Sequence, residues 1–221
     1  MHTAQLQADT DLQDAVRKEL QWTPAVHDAH IGVAVTDGAV TLSGEVNSYP
    51  EKVQAAKAAF RVRGVTAVAD EIEVRSDSVV NDADVARAAT RALERAVDVP
   101  DNCVKVAVHH NVITLTGSVP WQFQRAAARR AVAYLKGVVD VVDEIKLRPT
   151  APAAGTRRAI TAALHRNAQV EADGIEVTDD PGGVVELTGT VHSWSARMQA
   201  EHAAWAAPGV TKVRNLLVVR G

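Results

Sequence analysis

The stretch GAVTLSGEV, from Gly38 to Val46, decides the fold because the chain contains two close copies of it. The copies are NVITLTGSV at 111–119 and GVVELTGTV at 183–191, and each of the three is followed by a Gly-Val step, at Gly64, Gly137 and Gly209. The glycines inside the motif, Gly44, Gly117 and Gly189, are 73 and 72 residues apart. Such constant spacing indicates one structural unit written three times in tandem.

The first copy predicts how the unit begins. A helix from Asp11 to Trp22 is expected, with Thr10 as its capping residue. The apolar residues on one face of this helix are Leu12, Val16 and Leu20. A half-buried strand follows, in which the apolar residues alternate as Ile31, Val33 and Val35. Asp37-Gly38 then predicts a tight hairpin turn, and the return strand buries Val40 and Leu42.

The second half of the unit is a helix and a third strand. The helix follows a loop at 48–50 and carries the apolar residues Ala55, Ala59 and Val62, before Gly64 ends it in a left-handed conformation. The third strand contains Val68, Ile72 and Val74. The order is therefore α-β-β-α-β, with the second strand, second helix and third strand forming a crossover. We expect an α+β fold of three such units, each with two helices on one face of a three-stranded mixed sheet.

The other two repeats follow the same plan with local changes. In repeat 2, Asp82 or Asp84 is expected to cap the first helix, and His110-Asn111 replaces the Asp-Gly turn. Its apolar stripes are Val85, Ala89, Leu93 and Ala128, Val132, Leu135, and its strands carry Val104, Val106, Val108, then Ile113, Leu115, then Val141, Ile145, Leu147. Repeat 3 has a longer hairpin, DDPGG at 179–183. Its apolar residues are Ile160, Leu164, Ala200, Ala204, Ala207, Leu217 and Val219.

The spacing places the domain boundaries between the repeats. We expect an N-terminal tail at 1–9 and three domains at 10–75, 82–148 and 156–221, with breaks at 76–81 and at the small, proline-rich segment 149–155. Glycine in a strand usually marks a bulge or a close backbone approach. We therefore expect Gly44, Gly117 and Gly189 to make room for the second helix of their repeat.

Composition limits the class of protein. The 221 residues carry a net charge of −3 and 47% hydrophobic residues, as soluble globular proteins do. Cys103 is the only cysteine, so neither a disulfide framework nor a multi-cysteine metal site is expected. The first ten residues contain no basic region and no apolar run. The sequence as given therefore predicts a cytoplasmic protein, or a periplasmic one if a leader was removed.

The repeated pattern resembles the BON domain, a bacterial module named after an osmotically inducible periplasmic protein and nodulation proteins. The resemblance rests on VTLSGEV, AAKAAFRVRGVTAV and DEIEV in repeat 1, on ITLTGSV, YLKGVVDVV and DEIKL in repeat 2, and on VELTGTV, AAPGVTKV and RNLLVV in repeat 3. It implies two helices on a three-stranded mixed sheet, no enzymatic activity, and contact with phospholipid surfaces. Members are typically exported or attached to cell envelopes.

Residues that could carry chemistry are few. His109-His110 is the most suggestive pair for a metal, but adjacent strand residues point to opposite faces, so exposed turn histidines are expected. Asp173, Asp179 and Asp180 lack the alternation of a calcium loop and predict turns. No nucleophile elbow, phosphate loop or dinucleotide motif occurs. We expect no enzymatic activity, no cofactor, no metal and no nucleic-acid partner.

Only repeat 2 has net positive charge. It holds 10 Lys and Arg against 8 Asp and Glu, whereas residues 11–75 hold 7 against 10 and residues 153–221 hold 7 against 7. The candidate lipid-binding residues are Arg87, Arg91 and Arg95 on the first helix of repeat 2, Arg125, Arg129 and Arg130 on its second helix, and Trp121. The first three recur on one helix face, opposite the apolar stripe. The alternative is a solvated helix face, paired in part with Asp84 and Glu94.

Aromatic residues recur at one place in the repeat. Tyr49, Trp121 and Trp194 fall in the loop before the second helix, where they would suit either a membrane interface or a contact between repeats. Phe60 and Trp205 are expected in the core.

Three functions remain open from sequence. The first is a non-enzymatic BON-type adaptor that binds an anionic phospholipid surface or an envelope component under stress. The second is a soluble stress-response or chaperone-like module that binds a protein partner, or self-associates, through an open sheet edge. The third is sensing of a small ligand or monovalent cation.

Overall fold

The computed structural model describes residues 2–75, 80–148, 155–167 and 172–220. Repeat 1 contains α1 (His2–Trp22), β1 (Ile31–Thr36), β2 (Ala39–Val46), α2 (Tyr49–Arg61) and β3 (Ala67–Val74). β2 lies between β1 and β3, antiparallel to β1 and parallel to β3. The α-β-β-α-β order and the mixed sheet expected from the sequence are therefore confirmed.

Repeat 2 repeats this order. It contains α3 (Asp82–Arg95), β4 (Val104–His109), β5 (Val112–Val119), α4 (Gln122–Ala133) and β6 (Asp140–Leu147). Its sheet has the order β4-β5-β6. His110 and Asn111 form the hairpin turn with φ of 48° and 61°, matching Asp37 and Gly38 at 51° and 77° in repeat 1. Asparagine and glycine tolerate this left-handed conformation, which explains the exchange of residues at the turn.

Repeat 3 interrupts its third strand. It contains α5 (Thr156–Arg166), β7 (Ile175–Asp179), β8 (Val184–Val191), α6 (Trp194–Trp205), β9 (Lys212–Asn215) and β10 (Val218–Val219). β9 and β10 both run parallel to β8, and β7 runs antiparallel to it. Leu217 lies in the gap between the two short strands and is buried, as the apolar pattern predicts.

The predicted apolar stripes form the cores of the repeats. In repeat 1, Val16, Leu20, Leu42, Ala59 and Ile72 are at most 1% exposed and belong to one cluster. In repeat 3 the corresponding cluster contains Ile160, Leu164, Leu187, Ala200 and Ala204. Phe60 and Trp205 are partly buried and pack against these two clusters, which confirms their expected place. Burying a large aliphatic side chain contributes about 1.5–3 kcal/mol, so the valines, leucines and isoleucines of these clusters stabilise their repeats.

The start of the first helix was predicted wrongly. α1 begins at His2, so Thr10 lies inside the helix and cannot cap it, and residues 2–9 are already helical. Nothing in this segment breaks a helix, and Ala, Gln and Leu favour one. The cap of α3 is Asn81, whose side chain accepts a hydrogen bond from the Asp84 N–H, and neither Asp82 nor Asp84 caps it.

The reason given for the repeated motif glycines was also wrong. Gly44, Gly117 and Gly189 have φ of 117°, 126° and 119°, a conformation that favours glycine. A Cβ added at Gly117 would overlap the carbonyl oxygen of Cys103, which precedes β4, and no helix atom is among its nearest neighbours. At Gly44 and Gly189 the carbonyls of His30 and Gly174 take this place. The glycines therefore let the first and second strands approach each other.

The second set of glycines has the predicted left-handed conformation, but Gly64 does not cap α2, which ends at Arg61 with Val62 as its C-cap. Gly64, Gly137 and Gly209 have φ of 96°, 88° and 80° and follow α2, α4 and α6.

The chain groups into two compact units, one of residues 1–97, 105–116 and 129–144, and one of residues 98–104, 117–128 and 145–221. Most of the expected breaks at 76–81 and 149–155 lies outside the described residues, so the domain boundaries stay predictions. None of the described helices combines the length and apolar composition needed to cross a bilayer.

Candidate functional site

The arginine row on α3 faces away from the core of its repeat. Val85 and Ala89 are 1% and 0% exposed, whereas Arg87, Arg91 and Arg95 are all exposed. A helix repeats every 3.6 residues, so side chains spaced by four stay on one face. We call the three exposed arginines the α3 row.

One member of the row is paired. Arg87 Nη2 forms an ion pair with Asp84 Oδ1, three residues earlier on the same helix. The Arg87 side chain is 65% exposed and that of Asp84 is 45% exposed. Among the described residues, Arg91 and Arg95 form no ion pair, and the alternative pairing with Glu94 is not observed. The row therefore presents two unpaired guanidinium groups and one in an exposed pair, which is weak.

Asp82 begins α3 and holds the neighbouring hairpin turn. Its two carboxylate oxygens accept hydrogen bonds from the backbone N–H groups of Asn111 at 2.8 Å and His110 at 3.0 Å. The hydrogen bond from Asn111 lowers the pKa of Asp82. Burial opposes this effect, and the bond from His110 and the charges of His109 and His110 lower the pKa further. Both histidines are exposed at the turn, as predicted.

Repeat 1 has the same arrangement. Asp9 accepts from the backbone N–H groups of Asp37 at 3.2 Å and Gly38 at 3.4 Å. In repeat 3 the carboxylate comes from the hairpin itself, since Asp180 Oδ1 accepts from the N–H groups of Gly182 and Val184. The sequence carried a signal for the first two, because the acid precedes the turn by 28 residues in both repeats.

Arg129 forms a hydrogen bond with a residue of repeat 1. Its Nη2 donates to the hydroxyl of Tyr49 at 3.1 Å. This hydrogen bond raises the pKa of Arg129 above its usual value, and the carboxylates of Asp143 and Asp140 add to the effect while burial opposes it. Tyr49 is only 3% exposed. Of its two expected roles, the contact between repeats is confirmed, and a place at a membrane interface is wrong.

The remaining candidate residues differ in their exposure. Arg125 is half-buried and has an interaction partner. Arg130 is exposed on α4, and Trp121, just before α4, is 36% exposed. Trp194 is half-buried, with the guanidinium carbon of Arg197 4.6 Å from its ring centroid. Sequence reasoning missed Trp22 at the end of α1, which is 84% exposed.

A basic residue near the start of the second helix donates a hydrogen bond to the backbone of the third strand. In repeat 1, Lys52 Nζ donates to the Ile72 carbonyl at 2.7 Å, and Asp70 Oδ1 accepts from the Ile72 N–H at 3.1 Å. Lys52 and Asp70 also form an ion pair of 3.8 Å. We call this arrangement of side chains on a strand edge an edge bracket.

Repeat 3 has its own edge bracket. Arg197 Nη2 donates to the Asn215 carbonyl at 2.8 Å, and Asn215 Oδ1 accepts from the Leu217 N–H at 3.3 Å. The Asn215 amide also donates to Glu201 Oε2 at 3.0 Å. Lys52 and Asp70 in repeat 1 are 18 residues apart, as are Arg197 and Asn215 in repeat 3, a spacing that could have been found in the sequence. Buried polar backbone groups need such partners.

Sites for small ligands are limited in the part of the chain that the structure describes. No group of three or more His, Cys, Asp or Glu side chains there could hold a metal ion. Repeat 1 carries a groove of about 560 Å³, lined by Asp9, Asp37, Arg63 and Thr66 among others. The Asp9 carboxylate already accepts hydrogen bonds from the hairpin turn, so the groove offers few free polar groups to a ligand.

Comparison with known proteins places these features in a family. Residues 8–76, 81–149 and 153–221 each match the BON domain. Osmotically-inducible protein Y of Escherichia coli (strain K12) is 33% identical over 129 residues, which cover 56% of this chain and 64% of the relative. The match thus spans less than two thirds of that protein.

Two structures of CdsD, a structural protein of the type III secretion system of Chlamydia trachomatis, align over most of the chain. Both are 15% identical; one, the C-terminal domain, has a TM-score of 0.27 and covers 96% of this chain and 98% of its own, and the other has a TM-score of 0.26 and covers 95% and 92%. Such low scores support no argument about arrangement or function. The three matched segments, which carry the repeated hairpin motif and the α-β-β-α-β order, show that this chain belongs to the BON domain family.

Proposed function

We propose that this chain is a non-enzymatic BON-domain adaptor that binds anionic phospholipid surfaces, as part of an envelope or osmotic stress response. The α3 row is the observation that carries the proposal, because Arg87, Arg91 and Arg95 are exposed while the opposite face of the helix is buried. The link to stress is supported by the similarity to a protein named for its osmotic induction. Lipid phosphates are the anions that such a row would meet.

The strength of binding follows from the number of free arginines. Each basic residue near an anionic membrane surface contributes about 1 kcal/mol, so the α3 row contributes about 3 kcal/mol at low salt. The pair between Arg87 and Asp84 reduces this little, since exposed ion pairs are worth about 0–1 kcal/mol. Trp121 supplies an amphipathic ring suited to the headgroup region.

Co-sedimentation with vesicles tests the proposal. We expect the protein to sediment with phosphatidylcholine vesicles that contain phosphatidylserine or phosphatidylglycerol, and to remain in solution with phosphatidylcholine alone. Raising the ionic strength shortens the Debye length from ~30 Å at 0.01 M to ~8 Å at 0.15 M, so binding should weaken with salt. Failure to sediment with anionic vesicles at low salt, or equal binding to neutral ones, contradicts the proposal.

Binding of polypeptides through sheet edges is the second candidate. The edge brackets count against it there, because side chains already bond the Ile72 carbonyl and N–H in β3, and the Asn215 carbonyl at the end of β9. It is favoured only where a strand edge lacks such partners.

A further inference from the structure

The first strands of the repeats differ in how their outer edges are protected. In repeat 1, Gln13 Nε2 of α1 donates to the carbonyl of Val33 in the middle of β1. Gln13 follows the apolar Leu12, and the corresponding residue on α3, after the buried Val85, is Ala86, whose side chain has no donor. An edge strand whose backbone groups lack partners is a template for pairing with another strand.

The first strands of repeats 2 and 3 lack this protection. Within the described residues, no side chain forms a hydrogen bond to the backbone of β4 or β7. Each is the outer strand of its own sheet. β4 has six residues and β7 has five, so nearly every residue of one strand could pair with a residue of the other. These strands are therefore the open edges, in contrast to β1, β3 and β9.

The two open edges carry opposite charge on the solvent face of their sheets. On β4 the exposed residues are Lys105, Ala107 and His109. On β7 they include Glu176 and Thr178, with Asp179 at the strand end. Among the described residues, neither Lys105 nor Glu176 forms an ion pair.

We propose that two copies of this chain associate by pairing β4 of one copy with β7 of the other, with Lys105 of one copy next to Glu176 of the second. Opposite charges across neighbouring strands stabilise a pair, and like charges destabilise it. Pairing β4 with β4 would bring Lys105 close to another basic strand, and pairing β7 with β7 would bring glutamates together. Charge complementarity therefore favours pairing of β4 with β7, and every copy of the chain carries both strands. This inference concerns association between copies of the chain, not lipid binding, and it does not depend on the α3 row.

A charge-swap experiment tests the pairing. The full chain and two variants, Lys105→Glu and Glu176→Lys, are compared by sedimentation velocity and light scattering over a range of protein concentrations. We expect the wild-type chain to associate as concentration rises, and each variant alone to remain monomeric at the same concentrations. An equimolar mixture of the two variants should associate again, because each junction then joins a basic and an acidic residue. The double variant should also associate.

Lys146→Glu reverses an exposed lysine on β6 of the same repeat and should leave association unchanged. Circular dichroism checks that every variant is folded. A wild-type chain that stays monomeric throughout overturns the inference. So do single variants that associate as the wild type does, and a mixture that fails to recover association.

Discussion

The guanidinium of Arg129 in α4 donates a hydrogen bond to the hydroxyl of Tyr49 at the start of α2, and this bond joins repeat 2 to repeat 1. The distance is 3.1 Å, and Tyr49 is 3% exposed. A buried tyrosine hydroxyl normally requires a partner. The corresponding positions in the other repeats hold Ala56 and Glu201, so this joint is particular to Arg129.

A double-mutant cycle measures this joint. Tyr49→Phe removes the hydroxyl, and Arg129→Gln removes the guanidinium. We expect a coupling free energy of about 1 kcal/mol in urea unfolding, the size of an ordinary protein hydrogen bond. Additive effects of the two substitutions would show that the hydrogen bond contributes nothing to stability.

The two hydrogen bonds at Asp82 predict a pH-dependent stability. Because the folded pKa of Asp82 is lowered, its contribution is present above the unfolded pKa of ~3.9 and is lost as pH falls through the folded value. Asp82→Asn keeps one acceptor oxygen in place of two. We expect it to be less stable than wild type at neutral pH, and the two proteins to converge in strongly acidic solution.

Urea unfolding of both proteins at a series of pH values checks this. Asp98→Asn, a change at an exposed carboxylate of the same repeat, should show no such convergence. A difference between wild type and Asp82→Asn that is the same at every pH would contradict the role given to Asp82.

Gly117 predicts a large loss of stability on substitution. Gly117→Val forces a β-branched residue into a left-handed conformation, which costs about 1–3 kcal/mol. It also drives a side chain into the Cys103 carbonyl, and overpacking of this kind costs a further ~1–3 kcal/mol. Thermal unfolding measures the sum. Gly155, also at positive φ but with open space where a Cβ would lie, is the control.

The control separates the two causes. Gly155→Ala should lose only the cost of backbone strain, whereas Gly117→Ala should lose clearly more. Equal losses at the two positions would mean that the Cys103 carbonyl does not limit residue 117.

The edge bracket of repeat 1 predicts slow exchange of one amide. In Asp70→Ala the Ile72 N–H loses its acceptor, and we expect its hydrogen exchange to accelerate about fivefold, the effect of losing roughly 1 kcal/mol. Asp70→Asn keeps an acceptor oxygen, as Asn215 does in repeat 3, and should retain most of the protection. Exchange at Ile72 that is equally fast in both variants would contradict the bracket.

The sequence predicted the elements well because the apolar spacing occurs three times. Hairpin turns at Asp37-Gly38 and His110-Asn111 lie where residues that tolerate positive φ were found. The start of α1 was misplaced because a capping pattern at Thr10 is a local signal, and the residues before it continue a helix equally well.

Contacts between distant residues were the part that the sequence could not supply. The pattern showed that residue 117 must be glycine, but the atom that occupies the space belongs to Cys103, on the segment before β4. Likewise, the loop position of Tyr49 was clear, whereas its partner Arg129 lies 80 residues away in another repeat. Periodicity describes one element at a time and carries no information on which neighbour fills a given space.

The central claim, that the α3 row binds anionic lipid, is tested most directly by a vesicle titration with two matched triple variants. One changes Arg87, Arg91 and Arg95 to glutamine, and the other changes the exposed Arg157, Arg158 and Arg166 of α5, so both remove the same charge. At low salt the α3 variant should lose roughly a hundredfold in affinity, from about 1 kcal/mol per arginine, while the α5 variant binds nearly as the wild type does. An α3 variant that binds as well as wild type, or equal losses in the two variants, would contradict the claim.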